Sequence, residues 1–470
     1  MLNYIYGAVV AVVGAILFVD LYIRKKYKYA CRVDGDASKP QYLPYSDPLV
    51  GLVKGLAPFF GGADFRGKMF PLNLRDTLET TDADARAVKT VQTNFVGMYM
   101  VNTWDPECIR QIMFDKEQTY EKVDMGVAME PLLGQSILQV SGEEWKRQKS
   151  ILGPAFHHDH IKAVLPAMEN VAEEMVEGIM KQEKDLKDVS IHEWTTRATV
   201  EVIGRAGFGH AFNALRAGDD ADKTSLAVYE KMALDMQNPV GVLPLLSKIT
   251  GHEKEMLKDI DDFEGLLGRI VAEKKATVAE LGDSFVPSDI LDLLLQAHNA
   301  GDTASSLSDK QLMNNLAILF VAGHETSASA VASTVHFLAE NPEAQTKARE
   351  EVLAALAESD GKPLSYEQVC GLTYLKQCIH ETLRIAPPAA MVIRKTNKDT
   401  TLGGYRLGKG RTVLANMHAM HHDEDHWQEP FRYMPERFEA QRNAKRARCT
   451  FVPFAVGPRQ CLGNNFAMLE

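Results

Sequence analysis

The chain has 470 residues, with 52 Lys and Arg against 63 Asp and Glu, for a formal net charge of −11 at pH 7. That balance argues against a general nucleic-acid binder, and the length is ample for a large buried core. Six cysteines (Cys31, Cys108, Cys370, Cys378, Cys449 and Cys461) are scattered without C-x-x-C spacing, so neither a disulfide scaffold nor a zinc finger is indicated, and the body of the protein belongs in a reducing compartment.

Tyr4 to Ile23 is an apolar run whose only charge is Asp20. About 20 residues span a bilayer core. Arg24, Lys25, Lys26 and Lys28 follow at once and nothing charged precedes, so the rest of the chain stays cytosolic and the short N-terminus is translocated. A cleaved signal peptide would carry its basic residues first and a shorter apolar core. The expected division is an anchor with its basic stop over 1–28, a hinge over 29–48 stiffened by Pro40, Pro44 and Pro48, and one body over 49–470.

Asn94 to Val101 reads as a strand, and Asp105 to Phe114 as a helix started by Asp-Pro. Ser141 and Glu144 form a capping-box pattern, and Trp145 and Lys149 lie four apart, on one helix face. From Ile161 to about Ile203 apolar residues recur at helical spacing. Asn238 to Pro244 is an apolar loop, either a substrate-access loop or a buried connector.

Ser308, capped in S-x-x-Q fashion with Gln311, opens a helix that should run to Glu340. Leu312, Leu316, Leu319, Phe320 and Gly323 form its stripe, and its middle is Ala322-Gly323-His324-Glu325-Thr326-Ser327. Such polarity in a helix interior predicts a local break that admits water, with Glu325 and Thr326 relaying protons; the alternative is a plain close-packing site. Glu381-Thr-Leu-Arg384 precedes Pro387-Pro388, which ends its helix; the same E-x-x-R pattern also starts at Glu107, Glu144, Glu429 and Glu439. Met391 to Arg394 and Asp399 to Val413 read as short strands with a Gly403-Gly404 turn. His157 to His160 and His418 to His426 lack the helix-spaced ligand pair of a zinc enzyme, so no metal is expected there. Lys445, Arg446 and Arg448 are either a solvated basic face or a docking patch for an acidic partner.

The decisive stretch is Phe454-Ala-Val-Gly457-Pro-Arg459-Gln-Cys461-Leu-Gly463. Gly457 and Pro458 force a turn, Gly463 keeps bulk away from the backbone, and a helix after Asn464 would favour Cys461 as thiolate, able to hold a soft metal or a heme iron. The alternative is a buried structural cysteine in a Gly/Pro turn. This F-x-x-G-x-R-x-C-x-G pattern resembles the heme-binding loop of the cytochrome P450 superfamily, and Ala322 to Thr326 resembles its A-G-x-[DE]-T segment.

The resemblance covers about Pro40 to Glu470 and implies a mainly α protein: a helical domain with a small β-rich region, plus the N-terminal transmembrane helix. It implies heme b (iron protoporphyrin IX) ligated by Cys461, lying between two long helices. Thr326 and Glu325 would be catalytic, and Phe454, Gly457, Arg459, Gly463, Trp145, Lys149, Arg394, Ala322 and Gly323 would bind the cofactor. Lys149 departs from the family's arginine and loses its bidentate fork. Glu381, Arg384 and Arg437 would form a structural triad. The implied reaction inserts one atom of O2 into a lipophilic substrate such as a fatty acid, sterol or xenobiotic. Electrons would come from NADPH through a flavoprotein reductase, with cytochrome b5 a further partner, at the cytosolic side of the endoplasmic reticulum membrane. Two alternatives are a peroxide isomerase or dehydratase of the same fold and a non-catalytic membrane heme protein. Family members continue some tens of residues past the cysteine helix, so the resemblance also implies C-terminal truncation.

Overall fold

The computed structural model describes the chain from residue 89 to 470, apart from 96–97, 116, 124–129, 183–188, 216–227, 230, 233–249, 288, 300–305 and 445. The anchor, the hinge, the loop from Asn238 to Pro244 and Lys445 therefore lie outside the described residues. The chain is mainly helical with a small sheet region and divides into two units. One takes residues up to Val123 with Arg384–Arg432 and Ala440–Gln460; the other takes Asp124–Leu383, Tyr433–Glu439 and Cys461–Glu470.

In the first unit, β1 (Thr90–Phe95) and β2 (Met98–Thr103) pair antiparallel with Phe95 opposite Met98. The single strand expected over Asn94 to Val101 is thus parts of two paired strands, because the low-charge apolar run spans both. Helix α1 (Pro106–Met113) follows, with Asp105 accepting from the amides of Glu107 and Cys108 at 2.9 Å, as the Asp-Pro start predicts. The other strands are β3 (Tyr120–Glu121), β4 (Met391–Thr396), β5 (Thr400–Leu402), β6 (Tyr405–Leu407) and β7 (Thr412–Asn416). Five of them form one sheet in the order β1-β2-β7-β4-β3, parallel only at β2–β7; β5 and β6 pair across the expected glycine turn. Ile109, Ile112 and Met113 of α1 pack with Val101, Leu407 and Val413, and each such side chain contributes about 1.5–3 kcal/mol on burial.

The second unit is helical: α2 (Gly142–Leu152), α3 (His158–Gln182), α4 (Ile191–Val202), α5 (His252–Leu281), α6 (Ile290–Asn299), α7 (Asp309–Glu340), α8 (Pro342–Glu358), α9 (Tyr366–Gly371), α10 (Thr373–Ile385) and α11 (Asn464–Leu469). The helical pattern from Ile161 to Ile203 is two helices, α3 and α4. Ser141 makes no side-chain cap bond; Glu144, its expected box partner, binds Arg147, Gln148 and Gln311 instead. On α7 the Ser308–Gln311 capping box forms as read, and the helix ends at Glu340.

α7 is the centre of this unit. Its buried Asn314 accepts from the Gln135 amide at 3.0 Å and donates to the Leu132 carbonyl at 2.8 Å, while Asn315 accepts from the Ile137 amide at 2.9 Å. Fully satisfied buried amides fix register as apolar contacts alone cannot. From α4, the Thr195 and Thr199 hydroxyls donate to the carbonyls of Ala328 (3.1 Å) and His324 (3.0 Å). Length and composition would let α7 cross a membrane, but Leu312, Leu316, Ala317, Phe320 and Ala328 are buried in the unit, as in a core helix.

Candidate functional site

On α7, Ala322, Glu325 and Thr326 are exposed, whereas His324, Ser327 and Ala328 are buried. A Cβ on Gly323 would lie 3.0 Å from Cδ1 of Ile203, so helix packing is what holds a glycine there. The expected break in the helix does not occur: α7 runs unbroken from 309 to 340, and the Thr326 hydroxyl donates to the Ala322 carbonyl one turn back, at 2.7 Å. Polarity at this point is accommodated by side chain to backbone bonding inside an intact helix.

Glu325 has a partner that sequence reading missed. The Tyr229 hydroxyl donates to its Oε1 at 2.5 Å. Tyr229 is 3% exposed, and burial, reinforced by the Glu325 charge, pushes its phenol well above the ordinary value. The adjoining His324 is fully buried and its pKa is pushed down chiefly by burial; Nδ1 lies 2.7 Å from the Phe320 carbonyl, so that nitrogen carries the proton.

On α2, the Lys149 ammonium sits 5.1 Å from the Trp145 ring centroid, so the two share one face as their spacing predicts. Cys461 is exposed. The protein packed around its thiol pushes the pKa up, and the Gly463 amide pulls against this. In the free chain the balance therefore opposes the thiolate that a helix N-terminus was expected to favour, since α11 starts only at Asn464 and has six residues. Gly463 has φ −82°, and an added Cβ would meet nothing nearer than Phe156 at 3.8 Å. The packing of the protein does not demand a glycine at that position, so the room beside the cysteine is left for something else.

In the first unit, Gly457–Arg459 forms a 3-10 turn with half-buried Phe454 just upstream. Gly457 has φ +79°, and a Cβ there would lie 2.6 Å from the Met113 carbonyl oxygen, so only glycine fits. Arg459 and the 8%-exposed Arg394 of β4 are both pushed down to about 10, by burial and, for Arg459, by Arg394 as well. Both stay charged at neutral pH. A third cation, Lys122, joins them: burial, then Arg394 and Arg459, push it down to about 7. The sequence carried a sign of it, because strand alternation puts Lys122 on the buried side of Tyr120 and opposite to exposed Glu121. Arg394 is buried and Lys122 and Arg459 are half-buried, and the arginine charges oppose that of Lys122, a setting that suits an anionic ligand. The two acidic side arms of a heme would supply such charge.

Glu381 and Arg384 are bonded within the chain. Glu381 accepts from Arg437 Nε at 3.1 Å and from the Met434 amide at 2.9 Å. Arg384 donates to the carbonyls of His421 (2.9 Å) and Arg432 (3.5 Å). The Arg446 guanidinium stacks over Trp427 at 4.5 Å, while Arg448, Arg110 and Lys89 line a cleft of about 480 Å³ that also holds Asp105 and Glu107. Among the described residues no group of three or more His, Cys, Asp or Glu could hold a metal ion.

The family model described as Cytochrome P450 matches residues 67–470. Among individual proteins, the chain is similar to rat "Cytochrome P450 4X1", with 30% identity covering 73% of this chain and 68% of that protein. It is similar to mouse "Cytochrome P450 3A11" at 29% identity, covering 78% and 73%. A plant relative at 29% identity is the "11-oxo-beta-amyrin 30-oxidase" of Glycyrrhiza uralensis, covering 78% and 70%. Among solved structures, the cytochrome P450DA heme domain superposes with a TM-score of 0.73 at 21% identity, over 91% of this chain and 87% of that one.

Proposed function

The chain belongs to the cytochrome P450 family, whose members are heme-dependent monooxygenases, and on that premise we propose that it oxidises a lipophilic small molecule with one atom of O2, drawing electrons from NADPH through a flavoprotein reductase. The observation that carries this reading is the exposed Cys461 on the F-x-x-G-x-R-x-C-x-G loop, beside a glycine whose missing side chain the protein's own packing does not require.

Heme, when bound, supplies the reductive activation of O2. Cys461 would ligate its iron as thiolate, so loading must remove a proton from a thiol whose pKa the surrounding protein pushes up. Arg394 and Arg459 would hold its acidic side arms, with Lys122 beside them, and Trp145 with Lys149 would add a further contact. Phe454 would lie against the ring, Gly463 would leave it room to approach the backbone, and exposed Ala322 would present little bulk from α7, whereas Gly457 and Gly323 serve the loop turn and the packing against Ile203. Thr326, through its hydroxyl, and Glu325, through its carboxylate, would move protons toward the reacting oxygen.

The anchor over 1–28 and the microsomal character of the family's members support a single-pass protein of the endoplasmic reticulum membrane with the 49–470 body on the cytosolic side. Arg446 and Arg448 support an acidic redox partner, the reductase or cytochrome b5. Lipophilic substrates accord with the printed name of the plant relative, an oxidase of an amyrin. The Glu325–Thr326 pair favours O2 chemistry over peroxide rearrangement, and dependence of turnover on NADPH separates the two.

Expression with heme, followed by reduction under CO, tests the reading directly. The expected result is a strongly red-shifted Soret band in the wild type that is lost in Cys461→Ala. A band unchanged in Cys461→Ala would overturn thiolate ligation by this residue.

A further inference from the structure

We infer that Tyr229 is the positioning residue for proton delivery, its hydroxyl fixing the Glu325 carboxylate beside Thr326; the inference rests on Glu325 and Thr326 being the relay. The bond is 2.5 Å long, from a side chain that is itself 3% exposed to one that is exposed. A hydroxyl donating to a carboxylate is a short, strong pairing.

What makes the anchor rigid is the packing of its ring. Tyr229 meets His324 at 4.5 Å, Phe320 at 5.3 Å and Phe263 at 5.8 Å between ring centroids. Phe263 belongs to α5, and Phe320 and His324 belong to α7, so two helices cage the ring and leave the phenol a single direction.

No charged neighbour on these elements competes for Glu325. His324 is held neutral by burial, with its Nδ1 engaged at the Phe320 carbonyl. Lys231, two residues from Tyr229, is paired with Asp259 of α5 at 2.5 Å. Glu325 therefore takes its orientation from Tyr229 alone among the described groups, while Thr326 takes its own from the Ala322 carbonyl. The two relay members have separate anchors, and the phenol is the one that a single oxygen atom can remove.

The test uses the heme-loaded full chain with NADPH and a microsomal flavoprotein reductase, without added substrate. NADPH electrons then partition between H2O2, which takes two electrons and two protons per O2, and two waters, which take four of each. Only the second outcome needs protons delivered to cleave the O–O bond. Glu325→Gln is expected to lower water-forming turnover by about 100-fold and Tyr229→Phe by about tenfold, with peroxide release maintained. The double variant should match Glu325→Gln, because residues acting as a unit are not additive.

A second readout separates positioning from packing: the carboxylate stretch of Glu325, assigned by infrared difference against Glu325→Gln, should shift in Tyr229→Phe. The phenylalanine keeps the caged ring, so the fold is retained. Wild-type partitioning in Tyr229→Phe alongside a slow Glu325→Gln overturns the role of Tyr229 and leaves the relay intact. Wild-type partitioning in Glu325→Gln overturns the relay and the inference with it. A loss of water formation in Tyr229→Phe with an unmoved carboxylate stretch marks a packing defect and also overturns the inference.

Discussion

Both units bury charge, and they do it in opposite ways. In the helical unit Glu381 is fully buried, yet Arg437 Nε and the Met434 amide both donate to it. Fully buried Glu201 likewise accepts from Arg205 Nε at 2.6 Å and from the Ala214 amide at 3.1 Å. In the sheet-containing unit burial depresses Arg394, and it depresses half-buried Lys122 and Arg459 with the added opposition of neighbouring arginine charge. A charge answered from within the chain serves the fold whether or not a cofactor is present. A depressed cation such as Lys122 is a cost to the free fold that an incoming anion would relieve, which suits it to serving a ligand.

The comparison is broken most forcefully at the answered charge. Arg437→Ala removes a charged donor from buried Glu381, and loss of one member of a buried pair costs about 3–5 kcal/mol. Because the pair serves the fold, chemical denaturation should register the same loss with and without heme. A loss confined to the heme-loaded protein would place Glu381 with the ligand-serving charges after all.

A smaller effect probes whether other groups in the sheet-containing unit are likewise held away from their charged form by burial. His418 and His422, with ring centroids 4.3 Å apart, are pushed down to about 4 and about 3, chiefly by burial. His421 beside them is pushed down too, first by burial and then by His422 and Arg384. These imidazoles are neutral in the folded chain while the unfolded chain protonates near 6.5, so stability is full above that pH and falls as pH drops from 6.5 toward 4. His422→Phe should flatten that slope, removing on the order of 2 kcal/mol of acid sensitivity in denaturation series at pH 6.5 and 4.5. An unchanged slope would mean that the cluster is not what acid attacks.

Much of this molecule was legible in its sequence because the informative features are local. The Asp105 and Ser308 caps, the end of α7 before Asn341-Pro342 and the turn at Gly403-Gly404 each depend on a few adjacent residues. The cysteine loop was legible for the same reason: the restricted φ of Gly457 and the room at Gly463 are written in the pattern itself. What escaped depends on distant partners. Tyr229 lies 96 positions from Glu325, and no spacing rule joins them. Glu144 satisfied its capping pattern with Ser141 but found Gln311, 167 positions away. The break expected in α7 failed because Thr326 had a carbonyl within its own helix to bond, which composition alone does not reveal.

The last effect is the sharpest, because its sign reverses between the free and the loaded protein. Lys122, pushed down to about 7 against an ordinary 10.5, is a cost to the free fold. The stability of the free chain should therefore be greatest above pH 10.5, decline as pH falls to 7 and level off below that. Lys122→Gln should abolish this slope and stabilise the free chain at neutral pH. The same change removes one charge-assisted partner from the heme's acidic side arms, so heme should dissociate about tenfold faster. Protons give an independent count. At pH 8.5 wild-type Lys122 is largely neutral and regains a proton when the anion arrives, while Cys461 gives one up on becoming thiolate. Loading the wild type should then exchange almost no net proton with the buffer, whereas Lys122→Gln should release close to one per heme. Equal proton release by the two proteins would show that Lys122 does not face the cofactor, and the contrast between the two units would rest on the arginines alone.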